Sequence, residues 1–246
     1  MRLKLLALIL ACPGVTWAQT PNFGGEQKTS SLTYRGVTAN AQTLPENHTM
    51  NRHPTNPQWG GCVPSSVKTA ALYAGIPRDE IDKFWAIAQQ EVGVNGTHPQ
   101  MLENMVRRAF PHRKWVSYVG TNPDEVERVY DRLSGQGLLV CSTMGWGELY
   151  GQRLIAHMVS DPHYSSKDGV ACVEDNNDDP GIYRWMPAKE RLARAMSGGQ
   201  AWLFAFVEQA SAATAAAVVV IIAATAAVIA IIVVSAATAA WALIST

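Results

Sequence analysis

The sequence carries no excess charge of either sign. Its 20 lysines and arginines are balanced by 20 aspartates and glutamates. No basic patch marks a nucleic-acid partner, and no acidic run marks a charged tail. Histidine is sparse and scattered. His48, His53, His98, His112 and His163 have no ligand spacing, so they read as loop or surface residues, and no metal or other cofactor is called for. Cysteine is sparse too, with four in 246 residues. No ionisable side chain follows Glu208.

What is present begins at the ends. Residues 1–18 read as an export signal. Arg2 and Lys4 open it, residues 5–11 form a short apolar core, and Thr16 and Ala18 make a small-residue cleavage site. That core is too short to span a bilayer. At the other end, residues 212–244 are built from Ala, Val, Ile and Thr without charge. A bilayer needs roughly 20 apolar residues, so this segment is long enough to be a transmembrane anchor. The competing reading is a strand-prone tail that self-associates. Together the ends predict an exported, extracytoplasmic domain held to the membrane by its C-terminal segment.

Between them, residues 19–55 are polar, with little apolar periodicity, and read as an extended lead-in that is partly ordered at best. The main domain is expected over 56–209. Its first half is helical. Helices are predicted over 65–73, from Pro77 with an apolar stripe at Ile81, Phe84, Trp85 and Ala88, from Pro99 to 109, and from Asn122 to 133. A short strand at 115–119 interrupts them. Strands follow at 138–143, 155–160 and 169–175, with 162–168 as the turn between the last two. A helix over 187–196 and a strand over 201–207 close the domain. Helices first and antiparallel strands afterwards describe an α+β fold.

The chemistry centres on Asn56-Pro57-Gln58-Trp59-Gly60-Gly61-Cys62-Val63-Pro64-Ser65-Ser66. Two glycines allow a close backbone approach, and Pro64 suits a first helical turn. Cys62 is therefore expected at or just before a helix N-terminus. The exposed N–H groups and the dipole there favour the thiolate. A lone cysteine is more often a small buried residue. The glycines before it and the helix start after it favour the reactive reading.

His157 is a polar residue inside an apolar strand. The next strand ends in Asp175-Asn176-Asn177. If the two strands pair as a hairpin, an imidazole and a carboxylate or amide meet at one sheet edge. That is what a nucleophile's base and its orienting partner require. Taken alone, His157 reads as a satisfied core histidine and Asp175 to Asn177 as a turn. The chain order Cys, His, Asp/Asn favours the joint reading. Cys141 and Cys172 lie in two different predicted strands. They are either a disulfide, which export permits, or two ordinary buried thiols.

Gly61-Cys62-x-Pro64-x-Ser66 resembles the nucleophile motif of papain-like cysteine peptidases. The resemblance is to the bacterial branch related to peptidases that process double-glycine leader peptides. Gly96-Thr97-His98-Pro99, His157-Met158-Val159 and Val173-Glu174-Asp175-Asn176 fit the later places of that pattern, and the likeness covers about residues 56–207. It implies a papain-like fold with the nucleophile at a helix start, followed by an antiparallel sheet. It implies Cys62 as nucleophile, His157 as base, and Asp175 as the group that orients His157, with Asn176 as the alternative. The family usually has Gly after the nucleophile, where Val63 stands here. Its oxyanion glutamine lies six residues before the Cys, where this chain has Asn56; Gln58 is the favoured donor and Asn56 the alternative. Trp59, Trp146 and Trp185 are candidates for the groove wall. The implied activity is hydrolysis of a peptide or protein substrate through a thioester. A transglutaminase-like or cell-wall amidase acyl transfer on the same frame, and an inactive peptide-binding domain, are the competing readings.

Overall fold

The second half of the chain supplies most of one antiparallel sheet, and the helices pack on its two faces. The computed structural model describes residues 26–145 and 156–207. The expected export signal, the apolar segment at 212–244 and Trp146 lie outside the described residues. In chain order the elements are β1 (Gln27–Thr29), β2 (Thr33–Tyr34), β3 (Val37–Thr38), a 3₁₀ turn (Pro45–Asn47), α1 (Cys62–Tyr73), α2 (Arg78–Glu91), α3 (Pro99–Ala109), β4 (Trp115–Gly120), α4 (Pro123–Gly135), β5 (Val140–Gly145), β6 (Ala156–Ser165), β7 (Val170–Glu174), β8 (Tyr183–Pro187), α5 (Ala188–Ala195) and β9 (Ala201–Phe206). The fold is α+β. Seven strands join in the order β1-β8-β7-β6-β5-β9-β4, and β2 and β3 form a separate small ribbon. Among the described residues no helix is long and apolar enough to cross a membrane.

Local chemistry explains the helix starts. Pro123 opens α4, and the Asn122 side chain accepts from the N–H groups of Asp124 and Glu125 at 3.0 and 3.3 Å. Pro99 opens α3, where His98 Nδ1 accepts from Met101 N–H. These caps satisfy donors that the first helical turn leaves unpaired. The alternation of β9 sorts the layers. Trp202, Phe204 and Phe206 join the cluster of α1, α2 and α3, while Leu203 and Ala205 join that of α4 and α5. Successive strand side chains point to opposite faces, and both faces are covered, which is why the segment reads as an unbroken apolar run.

Several expectations change. The lead-in is folded onto the domain from Glu26 onward. β1 extends the sheet beside β8, and Ala39, Ala41, Thr43 and Thr49 are buried. A small apolar cluster, with Leu32, Tyr34, Val37 and Ala39 set against Cys172, Tyr183 and Trp185, holds its first part. Hydrogen bonds hold the rest: Ala41 N–H donates to Pro162 O at 2.8 Å, Thr49 N–H to Thr69 Oγ1 at 3.0 Å, and Asn51 N–H to Asn176 O at 2.7 Å. Periodicity is blind to such anchoring. The turn expected at 162–168 is shorter, because β6 runs on through Pro162 to Ser165. The register shifts between Ser160 and His163, and Pro162 lies in that irregularity, where a missing N–H costs no ladder bond. β8 has no counterpart in the sequence reading.

The disulfide reading is overturned. β6 lies between β5 and β7, so Cys141 and Cys172 stand two strands apart. That is roughly 9.5 Å, beyond the ~7 Å that a bridge can span. Both are free, buried thiols, and burial pushes their pKa values well above normal. Two histidines are also not surface residues. His163 lies within β6 at 2% exposure, and the His48 ring is buried against Glu174, its Nδ1 3.0 Å from Oε1. Trp185 is fully buried and stacks on Tyr34, so it belongs to the core under the lead-in and not to a groove.

Candidate active site

Cys62 is the first residue of α1, with Gly61 as its N-cap. The glycines before it are required by proximity. A Cβ on Gly61 would fall 2.0 Å from the Trp59 ring, and one on Gly60 would fall 2.5 Å from Gly96 N. Gly60 N–H also donates to Gly93 O at 3.2 Å. The 93–96 turn thus docks directly on the backbone that leads into the nucleophile. The turn after it, Asn95 to Pro99, forms one wall of a cavity of about 360 Å³ that opens at Cys62 and His157. Met144, Met158, Ala195 and Trp202 supply an apolar lining, and Thr143, Ser197 and Gln200 supply polar groups.

β6 carries His157 opposite Met144 of β5. Asp175 follows the last residue of β7. His157 continues the alternation of Val159, and Asp175 that of Val173; both valines belong to one side of the sheet. The two side chains therefore emerge together, and His157 Nε2 lies 2.7 Å from Asp175 Oδ1. The Cys62 thiol hydrogen-bonds the same imidazole. With Nε2 directed at Asp175, Nδ1 is the nitrogen left for the sulfur.

Electrostatics set the protonation. Burial opposes a charge on His157, but its bonds to Asp175 and Cys62 outweigh that and push its pKa up to about 9. Burial likewise opposes a Cys62 thiolate, yet the hydrogen bond and charge of His157, with backbone N–H help at Val63, hold the thiol below its ordinary value. The pair is a thiolate beside an imidazolium between the lowered Cys62 pKa and about pH 9.

Asn176 alternates to the other side, where α1 lies. Its Nδ2 sits within 2.9–3.0 Å of Cys62 O, Ser66 Oγ and Met158 O. It ties α1 to β6 and does not face His157. The turn reading of Asp175 to Asn177 holds at the same time: Asn177 N–H donates to Asp175 Oδ1 at 3.0 Å and Asp178 N–H to Asp175 O at 2.9 Å. Gln58 is exposed, and Asn56 uses its Oδ1 to accept Gln58 N–H at 3.0 Å. Neither side chain lines the cavity. Trp59 is buried against Trp85 and is packing rather than wall.

Sequence reasoning missed Trp202, which lines the cavity, and Asn177, whose Nδ2 is 3.3 Å from His157 Nε2. It also missed a buried ion pair beneath the site. Arg191 Nε donates to Asp161 Oδ1 at 2.7 Å and Nη1 to Thr143 O at 3.1 Å. Ser142 Oγ donates to Asp161 Oδ2 at 2.6 Å and lies 2.9 Å from Tyr130 Oη. No group of three metal-ligating side chains stands together among the described residues.

Neither a protein-family model nor a curated protein matches this chain.

Proposed function

We propose that the chain is an exported thiol hydrolase that cleaves peptide or amide bonds on the papain-like plan that its Gly61-Cys62-x-Pro64-x-Ser66 stretch resembles. The observation that carries this reading is one imidazole bonded to both Cys62 and Asp175 beside an open cavity. The Cys62 thiolate attacks the substrate carbonyl carbon. The N–H of Cys62, at a helix start and without an intrahelical acceptor, is one donor to the resulting oxyanion. The resemblance implies a side-chain amide as the other, but Gln58 and Asn56 do not line the cavity and neither is assigned that role. His157 then gives its Nδ1 proton to the departing amine, and a thioester remains on Cys62. His157 next takes a proton from water, whose oxygen attacks the thioester and releases a carboxylic acid and the thiolate. Asp175 keeps the ring in the Nε2–H form throughout. The basic start with its short apolar core and the uncharged end support an extracytoplasmic, membrane-anchored setting.

Reaction with iodoacetamide followed by peptide mass mapping tests the nucleophile. Label on Cys62 in preference to Cys141 and Cys172 is the expected result. Hydrolysis at the wild-type rate by purified Cys62→Ser protein would refute the proposal, since the hydroxyl lacks the thiolate's nucleophilicity. Labelled Cys62 without hydrolysis of peptide, amine-linked or muropeptide substrates would move the reading to an inactive peptide-binding domain.

A further inference from the structure

Asn177 places a polar side chain against His157 that the mechanism above does not use. It follows the orienting carboxylate by two residues and faces solvent, whereas His157 and Asp175 beneath it are buried at 5% and 1% exposure. It touches the pair twice. Its backbone N–H donates to Asp175 Oδ1, the oxygen that His157 uses, and its side-chain Nδ2 is the amide atom nearest the ring, 3.3 Å from His157 Nε2. At the far end of that amide, Oδ1 accepts from Asn51 Nδ2 at 3.4 Å. Asn51 is fixed in turn by its own N–H donating to Asn176 O at 2.7 Å. The folded lead-in thus reaches the catalytic ring through an amide–amide contact.

The chemistry of this contact is specific. The Cys–His cycle needs its proton on Nε2 at every stage, because Nδ1 alone exchanges protons with the sulfur, the amine and water. An amide has the same shape either way round. Because Nε2 carries its proton toward Asp175, the amide must turn over from this orientation to serve it: with Oδ1 inward, Asn177 accepts from Nε2–H alongside Asp175. Turned with Nδ2 inward, it can donate only to a bare Nε2. The Asn51 amide can turn with it, so the outer contact survives either arrangement.

We propose that Asn177 is a positioning residue: with Asp175, and braced by Asn51, its amide holds His157 in the Nε2–H tautomer that the thiol cycle requires. The inference rests on the Cys62–His157–Asp175 reading. It has a different consequence for each replacement. Alanine removes the second acceptor and lets water in. Aspartate replaces the amide with a carboxylate that accepts and never donates.

The test is ¹⁵N–¹H spectroscopy of the His157 ring across pH 5–11, in the full chain as it exists and in its Asn177→Ala and Asn177→Asp variants. Iodoacetamide alkylation of Cys62 is followed in parallel. The exposed position and the retained backbone N–H favour normal folding, which circular dichroism checks. In Asn177→Ala the His157 midpoint falls, and the Nδ1–H fraction of the neutral ring rises about threefold to tenfold, the yield of one ordinary hydrogen bond. In Asn177→Asp the midpoint rises and the Nδ1–H fraction stays low. A merely structural role in the turn would move both variants the same way, and that result would overturn the proposal. So would spectra of Asn177→Ala that superimpose on the wild type. A wild-type His157 titrating near 6.5, with Cys62 no more reactive than an ordinary thiol, would instead refute the ion-pair reading itself and the proposal with it.

Discussion

Replacement of Asp175 by alanine removes the leading cause that raises the His157 pKa. The ring stands at about 9 against an ordinary 6.5, and burial works against that rise. That net rise corresponds to about 3 kcal/mol in favour of the charged ring. Without Asp175 the desolvation that opposes the charged ring is far less well offset, so the midpoint is expected to fall. The resting pair then shifts from thiolate–imidazolium toward thiol–imidazole. Loss of the orienting carboxylate in the serine triad used as a reference costs about 10⁴ in kcat. A loss of several orders of magnitude with little change in KM is expected here. The assay is the rate of Cys62 alkylation by iodoacetamide from pH 4 to 10, which needs no knowledge of the substrate. The wild type should show thiolate reactivity below the ordinary thiol pKa and a second inflection near 9. In Asp175→Ala the upper inflection should move down. Linkage has a definite sign. A His pKa raised on folding contributes stability that is fully present below about 6.5 and lost as pH rises through about 9, so the variant's stability deficit should shrink across that window. An upper inflection still near 9 in Asp175→Ala would refute the argument that this carboxylate sets the charge of His157.

Asn176→Ala should act on stability. It removes the amide that serves Cys62 O, Ser66 Oγ and Met158 O, a loss of about 1–3 kcal/mol, read as a Tm lowered by several degrees. Iodoacetamide reactivity per folded molecule should stay near wild type; a 10³-fold drop would assign Asn176 the orienting role. Arg191→Ala removes the ionic partner of Asp161 in a fully buried site, which should cost about 3–5 kcal/mol in a denaturant melt; a change under about 1 kcal/mol would mean the pair is not buried in solution. A chain ending at Gln209 should remain in the soluble fraction and keep Cys62 reactive. Its persistence in salt-washed membranes would show that something other than the uncharged tail holds it there.

The sequence by itself determined the local features. Pro99, Asn122 and Pro123 mark helix starts because capping and a fixed φ act within one turn. The glycine pair before Cys62 announced a close approach and a helix N-terminus for the same local reason. Strand alternation separated Asp175 from Asn176, because a period of two puts neighbours on opposite faces. Tertiary structure alone decided what depends on register and strand order. The irregularity at Pro162 sets how β6 meets β7, and no local signal says that a proline will be carried inside a strand. β6 separates Cys141 from Cys172, which two equally apolar strand sequences do not reveal. The lead-in reaches the site through Asn51, and Arg191 finds Asp161, because hydrogen bonds between residues 126 and 30 positions apart leave no periodic trace. Local dihedral and capping preferences are written residue by residue. Partnership between distant polar groups exists only once the packed faces have chosen their register.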